Sequence, residues 1–199
     1  EFQQKEEYLL KAITAAKEAL RVFTLEKTPV SYASAQLNQG QAYQLLEEVR
    51  DKENNLSNAA RAYEEVLKIY SSKKQPEDYA KTQHNLGVVY QTLAQLLNNE
   101  DYYYKAIASL ENAVNFYNIE QHPISFGQIQ HALGDAYQAI AAMGDPSRVL
   151  PKAIQSFSEA LRVFDASTYP LDFANLQKKV GIAFKDLSRT SETEDNLAK

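Results

Sequence analysis

The stretch Pro76–Tyr90, PEDYAKTQHNLGVVY, decides the fold because the chain repeats its landmarks at a step of 47 residues. Proline stands at Pro29, Pro76, Pro123 and Pro170, and glutamine at Gln36, Gln83, Gln130 and Gln177. Glycine stands at Gly40, Gly87, Gly134 and Gly181, and an aromatic at Tyr43, Tyr90, Tyr137 and Phe184. One period held at four positions without insertion or deletion marks an array of structural units. In such an array each unit packs on its neighbours, and the core runs along the stack.

Outward from this stretch, two helix types alternate. Upstream, Ala12, Ala16, Ala19, Leu20 and Phe23 share one helical face over roughly Gln3–Lys27, here called type B. Thr28 and Pro29 stop it, since proline cannot continue a helix and restricts the residue before it. Two residues after each proline comes Ser31, Asp78, Ser125 or Asp172, all suited to cap a helix N-terminus. An aromatic follows each: Tyr32, Tyr79, Phe126 and Phe173. This predicts type A helices over 32–48, 79–96, 126–142 and 173–189.

Each type A helix carries its glycine mid-helix, at a cost of about 1 kcal/mol against alanine, so a close helix contact is expected there. The aromatic three residues on should cover that contact. Polar loops are expected at Arg50–Asn55, Asn98–Asp101, Gly144–Ser147 and Thr190–Asp195, with type B helices resuming near Leu56, Tyr103 and Leu150 and Pro151 in a first turn. Along type B the rows alternate small and large: Ala12, Ala59, Ala106 and Ala153; Ala16, Tyr63, Leu110 and Phe157; Ala19, Val66, Ala113 and Ala160; Phe23, Tyr70, Tyr117 and Phe164. The Gln row, next to the core, is expected to hydrogen-bond between neighbouring repeats.

The expected architecture is all-α: eight antiparallel helices in four repeats, at 1–49, 50–96, 97–143 and 144–190, forming a single repeat domain over 1–199. Leu197-Ala198-Lys199 falls in the register of Leu9-Leu10-Lys11, so 191–199 reads as the start of another repeat and the chain as a piece of a longer array.

Composition narrows the function classes. Net charge is −5, and no basic run exceeds two residues, which leaves no electrostatic footprint for nucleic acid. No apolar stretch approaches the ~20 residues that span a bilayer. Cysteine is absent, which excludes thiolate chemistry and fits a cytoplasmic protein. There is no Gly-rich phosphate loop, GxSxG or HExxH, so no enzyme, cofactor or metal is expected.

Gly87 with Tyr90, followed by Ala106, Leu110 and Ala113, resembles the tetratricopeptide (TPR) pattern of a small residue and Tyr on the first helix and Ala-x3-large-x2-Ala on the second. The resemblance covers essentially the whole chain, in a form similar to the long repeats of large bacterial signalling proteins and of kinesin light chains. The period departs from the usual 34, and Gln stands where the family often has Trp. The resemblance implies a right-handed superhelix with type A helices lining its concave surface. It also implies that such arrays adjoin a caspase-like (CHAT) protease or an NTPase.

On that surface the face of type A left over by the core offers Asn38, Gln41 and Gln44, then Lys81, His84, Asn85 and Gln91, then Gln128, His131, Asp135 and Gln138, then Lys178. Amides donate and accept, as peptide backbone requires. The expected function is a scaffold that binds a peptide or partner domain in this groove. The alternative is a regulatory or sensor module for an enzyme elsewhere in the parent chain. A monomer is expected, with self-association through the terminal repeats as the weakest reading. The carboxylate clamp of some TPR domains is disfavoured, because Asn38 and Asn85 match its Asn position but no Lys stands at its other positions. The run Tyr102-Tyr103-Tyr104 replaces a core leucine with Tyr103 and leaves its flanking tyrosines for contacts.

Overall fold

The computed structural model describes residues 2–144 and 146–197, without side chains for Phe2 and 191–197. Among the described residues there are eight α-helices and no strand: α1 (Phe2–Ala19), α2 (Pro29–Leu46), α3 (Lys52–Leu67), α4 (Pro76–Leu97), α5 (Glu100–Val114), α6 (Pro123–Met143), α7 (Pro146–Leu161) and α8 (Pro170–Leu197). The chain forms two compact units, Glu1–Tyr102 and Tyr103–Lys199.

Every type A helix starts at its proline, three residues before the expected start. Proline is preset for a first helical position, and its missing N–H is one that a helix start leaves unpaired. Ser31, Asp78, Ser125 and Asp172 are therefore third helical residues, not caps. Thr28, Gln75 and His122 hold the cap positions without a side-chain cap bond, at φ −140°, −132° and −136°. With ψ of 59°, 70° and 55° they lie outside the α region, which a following proline disfavours.

Type B helices end earlier than expected: α1 stops at Ala19, not near Lys27. The cause is a turn that recurs with the period. Side-chain oxygens of Thr24, Ser71, Asn118 and Asp165 accept from the N–H three residues on, at 3.2, 3.4, 2.8 and 2.9 Å. Their carbonyls accept from the N–H four residues on, at 3.0, 3.0, 2.9 and 2.9 Å. Between α2 and α3, and again after α4, the turns use a left-handed residue. These are Asp51 (φ 44°) and Asn98 (φ 48°), one period apart and of the types that tolerate it. Two further boundaries differ from expectation. Pro151 lies inside α7, because that helix begins at Pro146. The loop expected at Thr190–Asp195 is helical, as α8 runs on to Leu197. The expected further unit at 191–199 rests on side chains outside those described.

In the first unit α1 and α2 run antiparallel, since Lys5 near the start of α1 pairs with Glu48 just past α2 at 2.6 Å. Ile13 packs on Ala42 and Leu46. Helix α3 packs on the other side of α2, where Val66 and Tyr70 meet Ala33. In the second unit Leu150 of α7 packs between Ala141 of α6 and Ala183 of α8. The type B rows are buried as expected from α3 onward: Ala59, Ala106 and Ala153 are all 0% exposed, as are Tyr63, Leu110 and Phe157. Ala12, their counterpart in α1, is exposed.

The glycines explain themselves by what faces them. A Cβ on Gly40 would lie 2.8 Å from the ring of Tyr63, and one on Gly134 would press closer still on the ring of Phe157. Gly40 and Gly134 therefore face the following type B helix, and each contact is with that helix's large residue. The following aromatic does not cover this contact. It faces the preceding type B helix, where Tyr90 donates to Glu64 and Tyr137 to Glu111. Gly181 breaks the pattern: nothing lies within 4 Å of its would-be Cβ, Phe184 is 55% exposed, and Gln177 is exposed. No described element follows α8 to supply the partner.

The Gln row is also corrected. Gln36 donates to the Tyr32 hydroxyl and Gln83 to the Tyr79 hydroxyl, each at 3.0 Å and each within its own helix. The link to the neighbouring helix runs through Tyr32, whose hydroxyl donates to Glu65 of α3 at 3.0 Å. Burial raises the Tyr32 pKa, which keeps this donor protonated. Tyr103 is buried, Tyr102 half-buried with its ring 5.9 Å from that of Tyr90, and Tyr104 exposed.

Candidate functional site

A cavity of about 710 Å³ opens between α1 and α2 in the first unit. Its floor is small and apolar, with Ala12, Ala15, Ala16 and Ala19 from α1 and Ala42 from α2. Its rim is polar, with Asn38 and Gln41 on the edge that α2 contributes. Its shape follows from the repeat. The positions of α3 equivalent to Ala16 and Ala19 are Tyr63 and Val66, and α2 covers them with Gly40 and Ala33. The α1 surface carries the same register with smaller side chains: Ala16 is buried and Ala19 half-buried, while Ala12 and Ala15 are exposed. A helix with small residues spaced as Ala33 and Gly40 are is the shape that covers such a surface in this chain.

Only some of the sequence-selected residues meet. Asn38 and Gln41 come together at this cavity. Gln44 and Asn85 both converge on the Tyr63 hydroxyl, which donates to Gln44 Oε1 at 2.7 Å and is hydrogen-bonded by Asn85. That hydroxyl joins α2, α3 and α4, and burial pushes its pKa up. Lys81 is exposed, and His84 and Gln91 are half-buried. Burial lowers the His84 pKa and favours the neutral ring.

In the second unit His131, Asp135 and Lys179 cluster. Asp135 pairs with Lys179 of α8 and lies 3.6 Å from His131 Nε2, too long for a good hydrogen bond and an ion pair only when the ring is protonated. The His131 ring meets Phe157 edge-on at 6.2 Å, and the Lys179 ammonium sits 5.7 Å from the same ring. Burial lowers the His131 pKa, Asp135 opposes this, and Lys179 reinforces it. Gln138 is half-buried, while Gln128 and Lys178 are exposed and take no part in the cluster.

Sequence reasoning missed two features. Tyr63 is the only hydroxyl in a row otherwise held by Ala16, Leu110 and Phe157, and a buried hydroxyl needs partners. That oddity could have pointed to Gln44 and Asn85 as its partners. The open groove was legible at Ala16, the one alanine of its floor that every later repeat replaces with a large residue, Tyr63, Leu110 or Phe157. Among the described residues no group of three His, Asp or Glu side chains could hold a metal, and no helix is long and apolar enough to cross a membrane.

The fold defines a class: an all-helical protein of consecutively packed helices with a regular repeat. Compared with protein families, curated proteins and solved structures, the chain has no match.

Proposed function

We propose that the chain is a TPR-like, right-handed superhelical scaffold that binds another protein. On this reading the groove between α1 and α2 takes a helical segment of the partner. The observation that carries the reading is the equivalence of surfaces: the face that α3 turns to α2 is turned by α1 to an open cavity of about 710 Å³. The alanine floor suits a helix bearing small residues, as Gly40 and Ala33 do on α2. Asn38 and Gln41 on the rim can hydrogen-bond polar groups that flank its apolar stripe. Lys81, His84 and Gln91 extend the contact surface along α4 of the same unit, and Gln128, Gln138 and Lys178 are the corresponding contact residues of the second unit.

The test is photo-crosslinking in the native host from a reactive residue at Asn38, with Glu53 on the exposed start of α3 as control. Crosslinks from Asn38 alone that disappear on Ala15→Arg, which fills the groove, are expected. Equal crosslinking from both positions, or crosslinks from Asn38 that survive Ala15→Arg, would refute the proposal. A crosslinked second copy of the chain would make the partner the chain itself.

A further inference from the structure

The tyrosines Tyr43, Tyr90 and Tyr137 each sit at a seam with a type B helix, and the first seam departs from the repeat. At the third seam the Tyr137 hydroxyl donates to Glu111 at 2.6 Å, and the Lys152 ammonium lies 5.5 Å from the ring centre. At the second, Tyr90 donates to Glu64. At the first, Lys17 stands where those glutamates stand, 5.8 Å from the ring centre of Tyr43. Three further positions change with it. Gln39 replaces the apolar Leu86, Leu133 and Val180; Arg61 replaces Ala108 and Gln155; Asn58 replaces Lys105 and Lys152.

These departures converge. Lys17, Gln39, Tyr43, Asn58 and Arg61 line one cavity of about 450 Å³ between α1, α2 and α3. Drift scattered over the surface has no reason to gather in one place. The cavity also contains a carboxylate, Glu65, but this is already committed to Lys68 and to the Tyr32 hydroxyl. Arg61 and Lys17 form no ion pair among the described residues, and the Tyr43 hydroxyl has lost the carboxylate its counterparts donate to. What remains is a set of donors: a guanidinium fork, an ammonium, a phenol and two amides. A planar or tetrahedral oxyanion is what such a set satisfies, and the Arg fork can take two oxygens at once.

We propose that this seam is an oxyanion-binding site, taking a carboxylate or phosphate group presented by a ligand. It lies on the opposite side of α2 from the groove lined by Asn38 and Gln41, so its success or failure is independent of that reading. The site was made by replacing a built-in carboxylate, at the position of Glu64 and Glu111, with a cation that calls for one from outside.

The test is a nuclear magnetic resonance titration of the whole chain with inorganic phosphate and, separately, with acetate, at constant ionic strength. Saturable shifts confined to the backbone around Lys17, Gln39 and Arg61 are expected. Lys17→Glu, which restores the pattern of the other repeats, should weaken binding by about tenfold or more, as loss of a charge-assisted contact does. Lys73→Glu on an exposed turn, with the same change of net charge, should leave binding unaltered. Response to phosphate alone assigns the site to phosphorylated ligands, and response to both includes carboxylates. Absence of saturable shifts, or shifts that survive Lys17→Glu or vanish equally in Lys73→Glu, overturns the proposal. Arg61→Gln keeps the result readable if Lys17→Glu disturbs α1, since Arg61 is exposed and makes no ion pair among the described residues.

Discussion

Gly134→Ala and Gly181→Ala are the same chemical change at the same repeat position, yet they should move stability in opposite directions. At Gly134 the new methyl would press on both Cδ1 and Cε1 of Phe157, well inside ordinary contact. Phe157 is fully buried, and His131 and Lys179 crowd its ring. The ring cannot swing aside without disturbing both. Overpacking of this kind costs roughly 1–3 kcal/mol. Against it stands the better helix propensity of alanine, worth about 1 kcal/mol. The net is a loss of about 1 kcal/mol, or roughly 2–4 °C in Tm for a chain of this size. At Gly181 the methyl meets nothing, so only the propensity gain remains, about 1 kcal/mol in the stabilising direction. Urea unfolding followed by circular dichroism should therefore separate the two variants by about 2 kcal/mol, the sum of these opposite effects. Phe157→Leu, the residue found as Leu110 one period earlier, should recover part of the loss in the Gly134→Ala background. If Gly134→Ala stabilises as much as Gly181→Ala, the close contact between type A glycine and type B aromatic is wrong.

Other outcomes follow from the same geometry. Tyr63→Phe removes the hydroxyl shared by half-buried Gln44 and Asn85 and should cost about 1 kcal/mol in urea unfolding, as loss of such hydrogen bonds does. A neutral result would mean that solvent already serves those amides. For pH, burial holds the His84 pKa below its usual value of about 6.5. Between the two values the unfolded chain holds a proton that the folded chain does not, so stability is full above about 6.5 and falls as pH drops below it. Half-buried His131 acts in the same direction. Unfolding midpoints measured across this range should show the decline, and His84→Gln should flatten it; a decline unchanged in that variant points to other groups. Asp165, whose carboxylate accepts from Ser167 and Thr168 in the turn before α8, is held down to about 2. Its contribution is present above the ordinary aspartate value and lost as pH falls towards 2, and Asp165→Ala should remove that part of the acid transition.

The period made most of the fold legible. Proline, glycine and the alanine and aromatic rows are each tied to a backbone or packing need that recurs with the unit, and these placed the helices and most of the core. The boundaries were harder, because proline both ends one helix and begins the next. Ser31 and Asp78 look like caps, yet the proline two residues earlier already has the right φ for a first turn. The turn oxygens of Thr24, Ser71, Asn118 and Asp165 went unread because the residue type changes at every step while the acceptor does not. The fourth unit misled for another reason: Gly181, Phe184 and Gln177 carry the repeat's residues but not its surroundings, since a side chain's burial depends on the neighbouring helix. The candidate site suffered from the same dependence. Asn38 and Asn85 occupy equivalent positions, but Tyr63 takes Asn85 as a partner, whereas Asn38 stays on the rim of a groove.

The claim that α1 presents an open copy of a surface buried elsewhere can be tested with single cysteines, since the chain has none of its own. Ala12, Ala59 and Ala153 occupy one repeat position, exposed in α1 and fully buried in α3 and α7. Ala12→Cys should react with a thiol reagent at nearly the rate of a free thiol. Ala59→Cys and Ala153→Cys should react at least ~100-fold more slowly, because reaction there must wait for local opening. Equal rates at all three would contradict the account.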